Sequence, residues 1–114
     1  MYYHASLHII DNPTYEECAE RSYGEAVGLF ANSHNGMYTI IGGNLYTFEV
    51  PKNVKKFILT EDIYMKMRDD PKYRVKLFTF LRENDYDMTS HQSDGEESVV
   101  ILNFAIISNW TKTI

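Results

Sequence analysis

The 114-residue sequence is long enough for one domain with a single modest core and too short for two. Its 44% hydrophobic and 24% charged residues are ordinary for a soluble globular chain, and no apolar run approaches the ~18 residues a membrane helix needs. Eleven Lys plus Arg against sixteen Asp plus Glu give a net charge of −5, which repels phosphate backbones and disfavours direct nucleic-acid binding.

In chain order, residues 2 to 7 read as a strand. Alternation puts Tyr2, His4 and Ser6 on one face and Tyr3, Ala5 and Leu7 on the other. Asn12 is a good helix cap and Pro13 a good first helical residue, so a helix is expected over 13–23, ended by Gly24. Val27 to Ala31 reads as a short strand, and Asn32-Ser33-His34-Asn35-Gly36 is turn chemistry. Residues 37–41 fit one helical turn or an irregular segment. Leu45 to Val50 alternates as a strand and stops at Pro51; Val54 to Leu59 reads as the next, with a hairpin expected between them.

Thr60 is placed to cap a helix over 61–68, with Glu61 and Asp62 at its positive end. Asp70-Pro71 repeats the signal for a second helix over 71–83. Its expected buried stripe is Tyr73, Leu77, Phe80 and Leu81, widened by Phe78. Tyr86 to Ser90 reads as a strand and residues 91–95 as a polar loop. Ser98 to Leu102 is an unbroken apolar run suited to a strand covered on both faces, and Ala105 to Trp110 closes the chain as a strand or edge segment. The class is α+β, one domain over 1–114.

The remaining chemistry is sparse. Cys18 is the single cysteine, which excludes an internal disulfide and suits a reducing compartment. The amino terminus has no basic segment followed by an apolar core, so no secretory leader and a cytoplasmic location are expected. The histidines share no recognisable metal spacing with the acids, and no metal is expected. Lys52-Lys55-Lys56 and Lys66-Arg68-Lys72-Arg74-Lys76 read as solvated faces. Nine Tyr and six Phe suit either a ligand cleft or a tyrosine-padded surface. Glu97 is the sharpest single feature, an acid at the mouth of an apolar strand. As a loop-edge acid it would contribute little to stability.

Three short patterns carry a resemblance over residues 2–107. Tyr3-His4-Ala5-Ser6 resembles the first motif of ADP-ribosyltransferases of the histidine-tyrosine-glutamate type, usually tyrosine-histidine-glycine followed by serine or threonine. Gly28-Leu29-Phe30 followed by Tyr38 resembles their second region. Asp85-Tyr86-Asp87, a polar loop, and Glu97 before Val99-Val100-Ile101-Leu102-Asn103 resemble the last. The chain departs in having Ala5 for the usual glycine, a short 33–42 segment, and Gly95 where arginine-directed enzymes resemble one another in carrying an acid.

The resemblance implies a split pair of mostly antiparallel sheets around an NAD cleft, with about three short helices. It implies Glu97 as the catalytic carboxylate and NAD as co-substrate, held by His4, Ser6, Tyr3, Gly28, Leu29, Phe30 and Tyr38. His4 would bond the adenosine-side ribose and Tyr38 would stack on nicotinamide. The family includes small phage-encoded, anti-CRISPR members, which makes a host protein the expected acceptor, with a basic nucleic-acid-binding protein suited to the −5 charge. The alternatives are a catalytically silent relative that inhibits by binding alone, and an NAD glycohydrolase toxin.

Overall fold

The computed structural model describes residues 1–14, 20–22, 25–36 and 42–113. Its strands are β1 (Tyr2–Ser6), β2 (Glu20–Ser22), β3 (Glu25–Asn32), β4 (Asn44–Glu49) and β5 (Lys56–Ile58), followed after the helices by β6 (Met88–Ser93), β7 (Glu96–Ile101) and β8 (Ser108–Lys112). Between β5 and β6 lie helices α1 (Glu61–Asp69) and α2 (Pro71–Glu83), and a 3₁₀ turn, Phe104–Ile106, precedes β8. The class is α+β, as expected.

Among the described residues the sheet runs β5-β6-β7-β3-β1-β4-β8, with β2 pairing β3 beside this path. Every pairing is antiparallel except β5 on β6. That parallel pair corrects the expected hairpin between the fourth and fifth strands: β4 instead lies between β1 and β8. Pro51 cannot donate to a ladder and ends β4, and the chain then crosses to the far edge of the sheet. β1 meets β3 at one register pair, Tyr3 opposite Asn32, against five pairs with β4.

The helix expected over 13–23 fails where it is described, because Glu20–Ser22 pairs with β3 as a strand. Residues 15–19 and 23–24 lie outside the described residues. The other two helices form where their caps predict. Ile63 N donates to Thr60 Oγ1, and Asp70 accepts from the backbone of Lys72 and Tyr73 while its own N–H closes α1 on the Lys66 carbonyl. No described helix is long and apolar enough to cross a membrane.

Strand alternation divides the core into two layers. On one face Tyr2, Leu29, Tyr46, Phe48, Val99 and Ile101 pack together under Trp110 of β8. The Trp110 ring stacks on Tyr46 at 4.8 Å, and its N–H reaches the Ile10 carbonyl. On the other face α1 and α2 bring Met67, Phe78 and Leu81 onto Val100 and Leu102. The α2 stripe centres on Phe78, which is fully buried, whereas Phe80 is 51% exposed. Two residues along a helix turn by about 200°, so only one of these rings faces the sheet.

Residues 91–93 also depart from the expected polar loop. They extend β6, and the connection to β7 is the two-residue turn Asp94-Gly95, both at positive φ (51° and 80°). Paired positive φ is the geometry that fits the twist of a tight hairpin, and Asp-Gly is among the residue pairs that favour it.

Candidate functional site

The Asp94-Gly95 hairpin sets the position of Glu97. With Ser93 opposite Glu96 and Gln92 opposite Glu97, alternation turns Glu97 to the Tyr2–Tyr46 face and Glu96 to the other. The Glu97 backbone is tied at both ends: its N–H donates to Ser33 Oγ and its carbonyl accepts from Ser33 N, each at 2.9 Å. The acid is thus part of a paired strand and not a loop edge, which corrects the sequence expectation.

Three side chains converge on its carboxylate. The Tyr2 hydroxyl donates to Oε1 at 2.6 Å; Ser90 Oγ and Lys56 Nζ donate to Oε2 at 2.5 and 3.0 Å. The register explains the meeting. Ser90 lies opposite Val99, two residues from Glu97, and is its diagonal neighbour across the hairpin. Lys56 lies opposite Met88, two residues from Ser90, and reaches along the same face. The Glu97 side chain is 16% exposed and that of Lys56 34%.

Burial opposes the Glu97 charge, but the bonds from Ser90, Tyr2 and Lys56 and the lysine's charge outweigh it, holding the carboxyl below its ordinary range. The same contact acts oppositely on the phenol. Burial first, then the bond to Glu97 and its charge, push Tyr2 well above the usual phenol range. The pair is therefore an ionised acid and a neutral, donating tyrosine. Among the described residues Oε1 accepts from Tyr2 alone, so one lone-pair direction remains for an incoming hydroxyl.

His4 shares this face, being paired with Tyr46 as Tyr2 is with Phe48. It is 7% exposed; its Nδ1 lies 2.7 Å from the Phe30 carbonyl and its ring 6.4 Å from that of Trp110. This contact spans the β1–β3 gap where the backbone ladder is one pair long. Ser6 is buried on the same face, and its hydroxyl accepts from His8 N and lies 3.1 Å from His8 Nδ1.

The other expected cofactor residues take different places. Leu29 is wholly buried in the first core layer. Gly28 serves close packing: a Cβ there would fall 2.6 Å from Val100 Cγ1 and 2.7 Å from the Ile101 carbonyl oxygen, so β3 lies against β7 only because the side chain is absent. Tyr3 and Phe30 face the opposite side of the sheet from Glu97. Tyr38 lies outside the described residues. The structure thus joins Glu97, His4 and Ser6 on one face and separates Tyr3 and Phe30 from them.

On that opposite face a cavity of about 400 Å³ lies between the sheet and the two helices. Tyr3 and Phe30 line it, His4 borders it, and Tyr64, Arg68 and Arg74 wall it from the helices. The two arginines, expected as a solvated face, are therefore part of a concave surface. Lys56, read the same way, is the Glu97 partner.

Tyr2, Ser90 and Lys56 are the residues that sequence reasoning leaves unassigned. The alternation of β1 already puts Tyr2 beside His4, but the partner 95 residues away has no local signal. No protein-family model, curated protein or solved structure matches this chain.

Proposed function

We propose that this chain is an NAD-dependent mono-ADP-ribosyltransferase that modifies a protein, with Glu97 as its charge-stabilising carboxylate. The observation that carries this reading is the carboxylate itself: ionised, mostly removed from water, rigidly held, and on the same sheet face as His4. The single-pair junction between β1 and β3 supports the finer fold reading, a sheet beginning to split beside that site.

NAD supplies an ADP-ribose group whose bond to nicotinamide breaks with the electron pair leaving on nitrogen, so positive charge develops on the ribose ring. A fixed anion favours that charge more than it favours the ground state, which is how binding becomes rate. Tyr2 and Ser90 hold the anion in place, so little reorganisation accompanies the charge change. Oε1 keeps an acceptor direction for a ribose hydroxyl. Lys56 opposes a developing cation while it stays on Oε2, and its flexible, third-exposed side chain is the one partner able to swing away. His4, its Nδ1 2.7 Å from the Phe30 carbonyl, stands on this face as the residue that would hold a second ribose. The acceptor nucleophile then bonds to the ribose carbon and gives up its proton.

The test is incubation of the protein with labelled NAD and a host lysate, read by mass spectrometry. Labelled protein that disappears with Glu97→Gln supports the reading. Free nicotinamide without labelled protein makes the chain a glycohydrolase, and neither product makes it a silent binder. The silent reading has its own support, since the Glu97 carboxylate and the His4 Nδ1 already hold partners within the chain.

A further inference from the structure

Beneath the cavity between the sheet and the two helices runs one row of cross-strand neighbours, Phe57, Thr89, Val100 and Phe30, in register across β5, β6, β7 and β3. Thr89, Val100 and Phe30 of this row line the cavity, and Leu59, Met67 and Tyr64 add to its apolar surface. Its aromatic walls are held by the fold itself. Phe30 meets the buried Phe78 edge-on at 6.3 Å, and the Tyr64 ring stacks on His91 at 3.8 Å. Rings already fixed in this way lose little freedom when a ligand arrives.

Thr89 is the polar residue in an otherwise apolar row. It is wholly buried, and its Oγ1 has no hydrogen-bond partner among the described residues. Leaving a buried hydroxyl unpaired is unfavourable, and valine would fill nearly the same space without that loss. The polar side chains on the next row of the same face already have partners. Asn32 Nδ2 donates to Ser98 Oγ at 3.0 Å, and His91 Nε2 lies 2.8 Å from Glu61 Oε2. A single ligand atom that exchanges a hydrogen bond with Thr89 would complete the lining.

The charged groups around the cavity are matched within the chain. Arg68 pairs with Asp69, and the charges of both Asp69 and Glu61 act on it. Arg74 donates from Nε to the Met67 carbonyl and from Nη2 to that of Arg68. Glu61 also meets His91. An ion entering here would lose its water without gaining a counter-charge of its own, so the site selects against charge of either sign.

We infer that this cavity is a ligand site separate from the Glu97 face, built for an uncharged aromatic molecule that carries one hydrogen-bonding atom. The ring lies against Phe30 and Tyr64, and the polar atom meets the Thr89 hydroxyl. The inference does not depend on ADP-ribosyl transfer, because Glu97 and its partners lie on the other face of the sheet.

The probe that tests it is 2-naphthol, with 2-methylnaphthalene as its partner lacking the hydroxyl and 2-naphthoate as its anionic counterpart. The expected result is saturable one-to-one binding of 2-naphthol, with amide shifts concentrated at Phe30, Thr89 and Val100 in protein that keeps its near-ultraviolet circular dichroism. Thr89→Val should weaken 2-naphthol roughly three- to tenfold, the scale of one net hydrogen bond, and leave 2-methylnaphthalene unweakened. Ala5→Leu, which fills the cavity from β1, should weaken both by at least about tenfold. Naphthoate should bind at least about tenfold more weakly than 2-naphthol. Absence of 2-naphthol binding, binding that neither substitution alters, naphthoate binding as tight as 2-naphthol, or shifts centred on Tyr46 and Phe48 would each overturn the inference.

Discussion

Replacing Glu97 with glutamine separates charge from shape at the centre of the candidate site. The amide would keep one oxygen to accept from Tyr2 or Ser90 but would turn an N–H₂ group toward another donor. The Lys56 contact, between side chains 34% and 16% exposed, contributes at most about 1 kcal/mol. The larger cost is the donor left without an acceptor, roughly 1–3 kcal/mol where the group is desolvated. The expected loss is about 2 kcal/mol, which for a chain of this length lowers Tm by about 8 °C. Under the proposed function the same substitution reduces turnover at least about a hundredfold, the scale for losing one preorganised electrostatic partner. Calorimetry and NAD turnover read the two effects separately, and Glu96→Gln, at an exposed position on the opposite face, should move neither. A Tm within about 2 °C of the parent, a quarter of the expected shift, would refute the three-donor network. Retained turnover with the expected Tm loss would leave the network standing and remove Glu97 from catalysis.

Glu97 also predicts the acid limb of stability. Its folded carboxyl titrates below its ordinary value, so its contribution is complete above the unfolded value and is lost as pH falls through the folded one; Glu97→Gln should flatten that part of a stability-against-pH curve. Tyr2 behaves in the opposite sense, its raised phenol contributing stability below the ordinary value of 10.0 that is lost as the phenol ionises at higher pH. Absorbance at the tyrosinate band should show this tyrosine ionising after the exposed ones, and Tyr2→Phe should remove the late component. Gly28→Ala should cost about 2 kcal/mol or more by forcing β3 from β7, and an unchanged denaturation midpoint would refute the close-packing role. If the acceptor is a basic protein drawn by the −5 charge, the modification rate should fall steeply with added salt; a flat salt series would exclude that class of partner.

What the sequence determined by itself was local. Thr60 and Asp70-Pro71 start their helices because capping is settled within a single turn. The alternation of Tyr2, His4 and Ser6 sorted the faces of β1 because a strand repeats every two residues. The run Ser98 to Leu102 declared a doubly covered strand, whereas reading residues 91–95 as a polar loop missed the Asp94-Gly95 hairpin that carries Glu97. The tertiary structure decided what depends on partners far along the chain. Whether Phe78 or Phe80 turns inward is set by where the sheet lies, since both belong to one amphipathic pattern. That β5 pairs with β6 rather than β4 depends on which edge the chain reaches after Pro51. The Glu97 site needs Tyr2 from 95 residues away and Lys56 from 41. Such contacts arise from strand order and register, which join residues that no local spacing relates.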